Sequence, residues 1–152
     1  MFVVVIPIKQ SRLTKAHMST SGTKSITTND INNVTYRIIY DNKVVGGVIL
    51  KIDNLTHLNE LEILFILPNE HNKGLGYATW KEIENLYKET EVWSTCTPYF
   101  EKRNIHFYVN KCGFKIDEFW CEYFHNENNI PKEDHLDDEG PDEMFHLIKV
   151  MK

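Results

Sequence analysis

Leu61-Glu62-Ile63-Leu64-Phe65-Ile66-Leu67-Pro68-Asn69-Glu70-His71-Asn72-Lys73-Gly74-Leu75-Gly76-Tyr77-Ala78 is the stretch that decides the fold. The apolar run up to Pro68 reads as a strand, the polar segment with two glycines as a loop, and Leu75 onward as a helix start. That order leaves the first helical amides without partners at the positive end of the helix dipole, which makes an anion site. Gly74 and Gly76 allow left-handed backbone and a close main-chain approach. The expected occupant is a phosphate-bearing cofactor.

Working outward toward the amino terminus, Val34–Tyr40 and Val44–Ile52 are β-rich and joined by Asp41-Asn42-Lys43, an antiparallel hairpin. Asp53–Asn59 connects it to Glu60–Leu67, so residues 34–67 form a three-strand meander. Residues 2–8 read as a β-branched strand, with Pro7 favouring an edge. Lys9–Asn33 keeps no firm apolar period; a short helix near Thr28–Asn33 fits its Thr and Asn caps.

On the other side, Leu75, Ala78, Ile83, Leu86 and Tyr87 follow helical spacing to about Lys88. Glu91–Thr95 is a short strand, and strand–helix–strand in this order favours a parallel crossover. Ile105, Tyr108, Val109 and Cys112 share one face of a second helix, which Gly113 would end in a left-handed residue. Phe114–Phe124 is a strand whose alternation slips near Asp117-Glu118, the mark of a bulge. Asn126–Glu143 is an acidic loop and Met144–Met151 a closing strand. The fold class is α+β, a mostly antiparallel sheet with one parallel step, in a single domain over 1–152 whose amino-terminal 33 residues are short and atypical.

A 152-residue chain with 41% hydrophobic residues can bury a sizeable core. Its formal charge of −5 argues against a duplex nucleic-acid partner. Cys96, Cys112 and Cys121 are odd in number and lack paired metal spacing, which fits reduced thiols in a cytoplasmic protein. The Phe2–Ile8 run is far shorter than the ~20 residues that cross a bilayer; it lacks a basic segment before it and an Ala-x-Ala-like cleavage site after it, so it is not expected to act as a signal peptide. His135 lies among Glu133, Asp134, Asp137, Asp138 and Glu139, but no spacing fixes a ligand set, so no metal is expected.

Taken together, these elements resemble the GNAT superfamily of acetyl-CoA-dependent N-acetyltransferases. Its cofactor motif, Gln/Arg-x-x-Gly-x-Gly/Ala, is matched by His71-Asn72-Lys73-Gly74-Leu75-Gly76. Its later element, an Asn before a helix with Phe-Tyr that ends in Gly-Phe, is matched by Asn104 through Phe107-Tyr108 to Gly113-Phe114. The likeness spans roughly residues 34–124. It implies a splayed mixed sheet with helices on both faces, and a shortened acceptor wall where Lys9–Asn33 stands in for two helices.

The resemblance also implies roles. Amides of Asn72, Lys73, Gly74, Leu75, Gly76 and Tyr77 would cradle the pyrophosphate, with His71 able to bond to phosphate. Main-chain groups of Phe65, Ile66 and Leu67 would pair with the pantetheine arm. Asn104 would bond that arm or cap the helix. Tyr108 would be the general acid, since a phenol stays protonated at neutral pH. Glu62 is the candidate general base, read as a carboxylate among apolar neighbours, with Glu60 in reserve. Thr95, Thr97 and Tyr99 follow the fifth strand and would meet the acceptor, a small-molecule or peptide amine. The short amino terminus leaves room for a homodimer, and for a rival function: a non-catalytic acyl-CoA sensor.

Overall fold

The meander read from residues 34–67 is the frame on which the rest is hung. A computed structural model describes residues 2–8, 33–121 and 143–152. Its strands are β1 (Val4–Pro7), β2 (Asn33–Tyr40), β3 (Lys43–Lys51), β4 (Leu58–Ile66), β5 (Val92–Pro98), β6 (Lys115–Trp120) and β7 (Met144–Val150). They form one sheet in the order β1-β2-β3-β4-β5-β7-β6. Every neighbouring pair is antiparallel except β4 and β5, so the single parallel step falls where the sequence put it. Pro7 lies on the edge strand β1, where its missing N–H costs no ladder bond.

Local chemistry explains the turns. Asp41 and Asn42 both have positive φ (52° and 58°), the two-residue geometry that matches strand twist in a tight hairpin. Between β3 and β4, the Asp53 carboxylate accepts from the amides of Leu55 and Thr56, and buried Asn59 ties the loop down through the Asp53 amide and Thr90 Oγ1. Helix α1 (Leu75–Leu86) returns the chain from β4 to β5. Its buried residues Leu75, Trp80 and Ile83 pack on the sheet beside Leu61 and Trp93.

A second helical segment, α2 (Lys102–Ile105), continues as a π-helical turn over His106–Lys111. Regular helical spacing was expected here; instead Cys112 N bonds to Phe107 O, one residue beyond the α-helical partner. Extra backbone turns both Phe107 and Tyr108 inward. Gly113, at φ 82°, ends the segment as expected, and Phe114 N closes onto Tyr108 O. Trp80 meets Trp93 edge to face and Phe114 at a tilt in the main core.

Two further readings need adjusting. β5 runs to Pro98 rather than stopping at Thr95, so Thr95 and Thr97 are strand residues and not turn residues. Asn33 begins β2 rather than ending a helix; the rest of Thr28–Asn33 lies outside the described residues. The acidic loop, with Glu133, Asp134, His135, Asp137, Asp138 and Glu139, also lies outside them. Both described helical segments pack on one face of the sheet, where Trp80 of α1 and Tyr108 of the π turn meet Trp93 and Phe114 in one cluster. Among the described residues no helix is long and apolar enough to cross a membrane.

Candidate functional site

Strands β4 and β5 pair only through Leu58, Asn59 and Glu60 against Val92, Trp93 and Ser94. Past that rung each strand continues, to Ile66 and Pro98, without the other. The sheet forks. At the crotch, the Thr95 hydroxyl donates to Leu61 O at 2.8 Å, replacing the ladder bond that the divergence removes. A bulge helps to aim β4: Ile49 faces Ile63 and Leu50 faces Leu61, which leaves Glu62 as the extra residue.

The open edge of β4 can be read from its bonds. Leu67 N donates to Val45 O, so antiparallel alternation commits the main chain of Leu67 and Phe65 to β3. It turns the amides and carbonyls of Leu64 and Ile66 toward the fork. Ile66 O is already taken by His71 Nε2 at 2.7 Å. Of the expected triplet, then, only Ile66 presents main chain to a ligand, and Leu64, which sequence reasoning passed over, joins it. The side chains of Phe65 and Leu67 are 50% and 42% exposed.

Directly after β4, a 3₁₀ turn (Pro68–Glu70) leads into the glycine loop. Asn72 (φ 65°) and Gly74 (φ 74°) are left-handed, a concave arrangement in which successive amides converge. The first helical bond runs from Ala78 N to Gly74 O. Among the described residues, no acceptor engages the amides of Asn72, Lys73, Gly74, Leu75, Gly76 or Tyr77. That is a cradle with the helix dipole behind it, and its donor set suits a diphosphate. Lys73 pairs with Glu70 at 2.6 Å, and this partner raises its pKa further above the usual ammonium value.

Gly76 shows why the loop sits where it does. A Cβ there would come within 3.3 Å of the Phe107 ring, so the loop and the π turn touch through a missing side chain. The same turn carries Tyr108, 8% exposed, whose ring meets Phe107 and Phe114. Burial pushes the Tyr108 hydroxyl up to about 12, with the Thr95 side chain beside it pulling the other way. Tyr108, Thr95 and the fork are therefore one neighbourhood, on the helix-covered face.

Other expected residues fall differently. Glu62 is exposed at the bulge rather than set amid apolar side chains. Asn104 is exposed inside α2, while Glu101 occupies the cap position. Thr97 is buried, its hydroxyl without a partner among the described residues, and Tyr99 packs half-exposed against Phe100 and Phe119. Among the described residues no cluster of His, Cys, Asp and Glu could hold a metal.

Comparison with known proteins places this geometry. A curated relative, the uncharacterized protein YrkN of Bacillus subtilis (strain 168), is 43% identical over 122 residues, 78% of this chain. The chain spans 65% of that relative's length. Among solved structures, an IAA acetyltransferase from Bacillus cereus ATCC 14579 is similar with TM-score 0.67 and 18% identity, covering 99% of this chain and 100% of that one. A GNAT family acetyltransferase from Elizabethkingia anophelis with acetyl-CoA bound is similar with TM-score 0.64 and 15% identity, covering 98% of each. The sequence profile of the acetyltransferase (GNAT) family matches residues 12–114, a span that holds the forked strands, the glycine loop and the buried tyrosine: the chain belongs to the GNAT acetyltransferase family.

Proposed function

We propose that this protein transfers an acetyl group from acetyl-CoA to a primary amine by direct attack within a ternary complex. The observation that carries the reading is the row of unengaged amides from Asn72 to Tyr77, facing out at a helix start. They bind the diphosphate, and the main chain of Leu64 with the amide of Ile66 binds the amide-bearing arm as an added strand would. Bound acetyl-CoA supplies an activated acyl carbon, open to an amine nitrogen.

Tyr108 holds the proton for the departing sulfur on its hydroxyl. Its raised pKa keeps it protonated at neutral pH, and its burial keeps it in place. The Thr95–Leu61 bond holds the fork at fixed width beside that hydroxyl. The amine must also lose a proton to a base on the acceptor side; Glu62 is exposed, and no partner among the described residues orients it.

The test has two arms. Acetyl-CoA is added and thermal unfolding followed; thiol release is then measured with spermidine, an aminoglycoside and a lysine peptide. Stabilisation together with amine-dependent thiol release supports the reading. Stabilisation without release would make the protein an acyl-CoA sensor, and neither would remove the cofactor assignment.

A further inference from the structure

The sheet face opposite the described helices carries a cluster that the nucleotide loop does not explain. Register and alternation put Glu60 of β4, Ser94 and Cys96 of β5, His146 of β7, and Glu118 and Trp120 of β6 on this face. A groove of ≈ 370 Å³ opens there, lined by residues that include Lys51, Leu58, Glu60, Ser94, His146 and Ile148. Glu60 and Ser94 are the last rung before β4 and β5 part. His146 stands one strand further on, opposite Cys96. It is level with the fork, across the sheet from Tyr108.

The imidazole is held from two sides. His146 Nδ1 lies 3.2 Å from Asp117 Oδ2. Trp120 stacks on the ring at 5.0 Å between centroids and 15° between planes. That indole is in turn fixed, its Nε1 donating to Glu118 Oε2 at 2.7 Å. Asp117 can reach the histidine because it is the extra residue of the β6 bulge, between Ile116 and Glu118 in the register. A neutral ring that donates Nδ1–H to a carboxylate keeps its lone pair on Nε2. Orienter, base and groove thus have the arrangement of a proton acceptor.

We propose that His146, positioned by Asp117 and Trp120, takes the proton from the acceptor amine in this groove. The proposal rests on the acetyltransferase reading above. The ammonium gives one proton to Nε2, and the freed nitrogen lone pair forms the C–N bond to the acyl carbon. As the C–S bond breaks, the sulfur takes the Tyr108 hydroxyl proton, and the second amine proton restores that hydroxyl. His146 then releases its proton to water. Among the described residues, the titratable groups on this face around it are Asp117 and Glu118 of β6, Cys96 of β5, Glu60 of β4, and Lys51 and Asp53 at the β3 end.

Two measurements test it. In the free protein, ¹⁵N shifts of the neutral His146 ring should report the Nδ1–H tautomer; the Nε2–H tautomer would overturn the proposal, since it has no lone pair to offer. With the amine panel, His146→Gln should lower kcat/KM by about 10²-fold and remove the acidic limb of its pH profile. Asp117→Asn should lower it by a smaller factor, and acetyl-CoA should still raise the melting temperature of both. An unchanged profile in H146Q, loss of the limb in Glu62→Gln instead, or loss of the acetyl-CoA shift in H146Q would each defeat it. If wild type releases no thiol with any amine while acetyl-CoA still stabilises it, the acetyltransferase reading fails first and takes this one with it.

Discussion

Tyr108 and Glu84 show how much single side chains depend on what surrounds them. Removing the Tyr108 hydroxyl with Tyr108→Phe is expected to lower kcat by about 10²-fold or more, the usual worth of a positioned acid. The acetyl-CoA thermal shift should stay within a degree or so of wild type; if it vanishes, the tyrosine serves the fold and not the chemistry. Glu84, 8% exposed on α1, faces Lys81 at 2.8 Å and Lys149 from β7. Burial alone would raise its pKa, but hydrogen bonds from Lys149 and Lys81 prevail and hold it below the usual carboxylate value. A carboxyl whose pKa is depressed on folding stabilises the native state above its unfolded value of about 4.3, and that contribution is lost as pH falls through the lower folded one. Glu84→Gln should therefore melt lower than wild type at pH 7, and the two melting curves should converge in acid. Parallel melting temperatures across pH 3–7 would show that the pair contributes no charge-dependent stability.

At the level of elements, the fork is where strand pairing gives way to function. Thr95→Val deletes the donor to Leu61 O and leaves a carbonyl in the crotch unpaired, at a cost of about 1–3 kcal/mol. Chemical denaturation would measure this, and a loss of less than half a kcal/mol would mean that the hydroxyl does not pin the fork. A second element-scale device is the Gly46 position on β3. A Cβ there would lie 2.1 Å from Phe65 O, a backbone atom that cannot rotate away. Gly46→Ala should push β3 off β4 and lower the melting temperature, with a cost of about 1–3 kcal/mol typical of overpacking. A melting temperature equal to wild type would show that the strands separate without strain. Most elements were legible from sequence because their cues are local: alternation in β2 to β4, positive-φ residues at Asp41-Asn42, and Gly113 after an apolar helix face. The π turn was not legible. The turn packs Phe107 on Gly76, a contact between residues far apart in the chain that no local pattern announces.

For the whole molecule, the decisive measurement is linkage. A ligand at 100 times its Kd stabilises by about 2.7 kcal/mol, which in a domain of this size corresponds to about 5–10 °C. Acetyl-CoA is expected to produce a shift of that order, and a shift below one degree at millimolar ligand would contradict a diphosphate cradle at Asn72–Tyr77. Loop and tyrosine also belong to one mechanical unit, since Gly76 and Phe107 are in contact. Ligand binding at the loop should accordingly protect amides of the π turn as well as those of the loop in hydrogen exchange.

The sequence alone determined the order of elements, the parallel step, the bulge near Asp117 and the glycine loop, because each is written in neighbouring residues through period, turn chemistry and backbone freedom. It also singled out Tyr108 from the order of its motif. Only the tertiary structure decided which main-chain groups of β4 are open, that Thr95 is spent on the fork, that Glu62 stands exposed, and that His146 meets Asp117 and Trp120. Those outcomes depend on register between strands distant in sequence. Moving a pairing by one residue turns every side chain to the other face, and no local pattern encodes that choice.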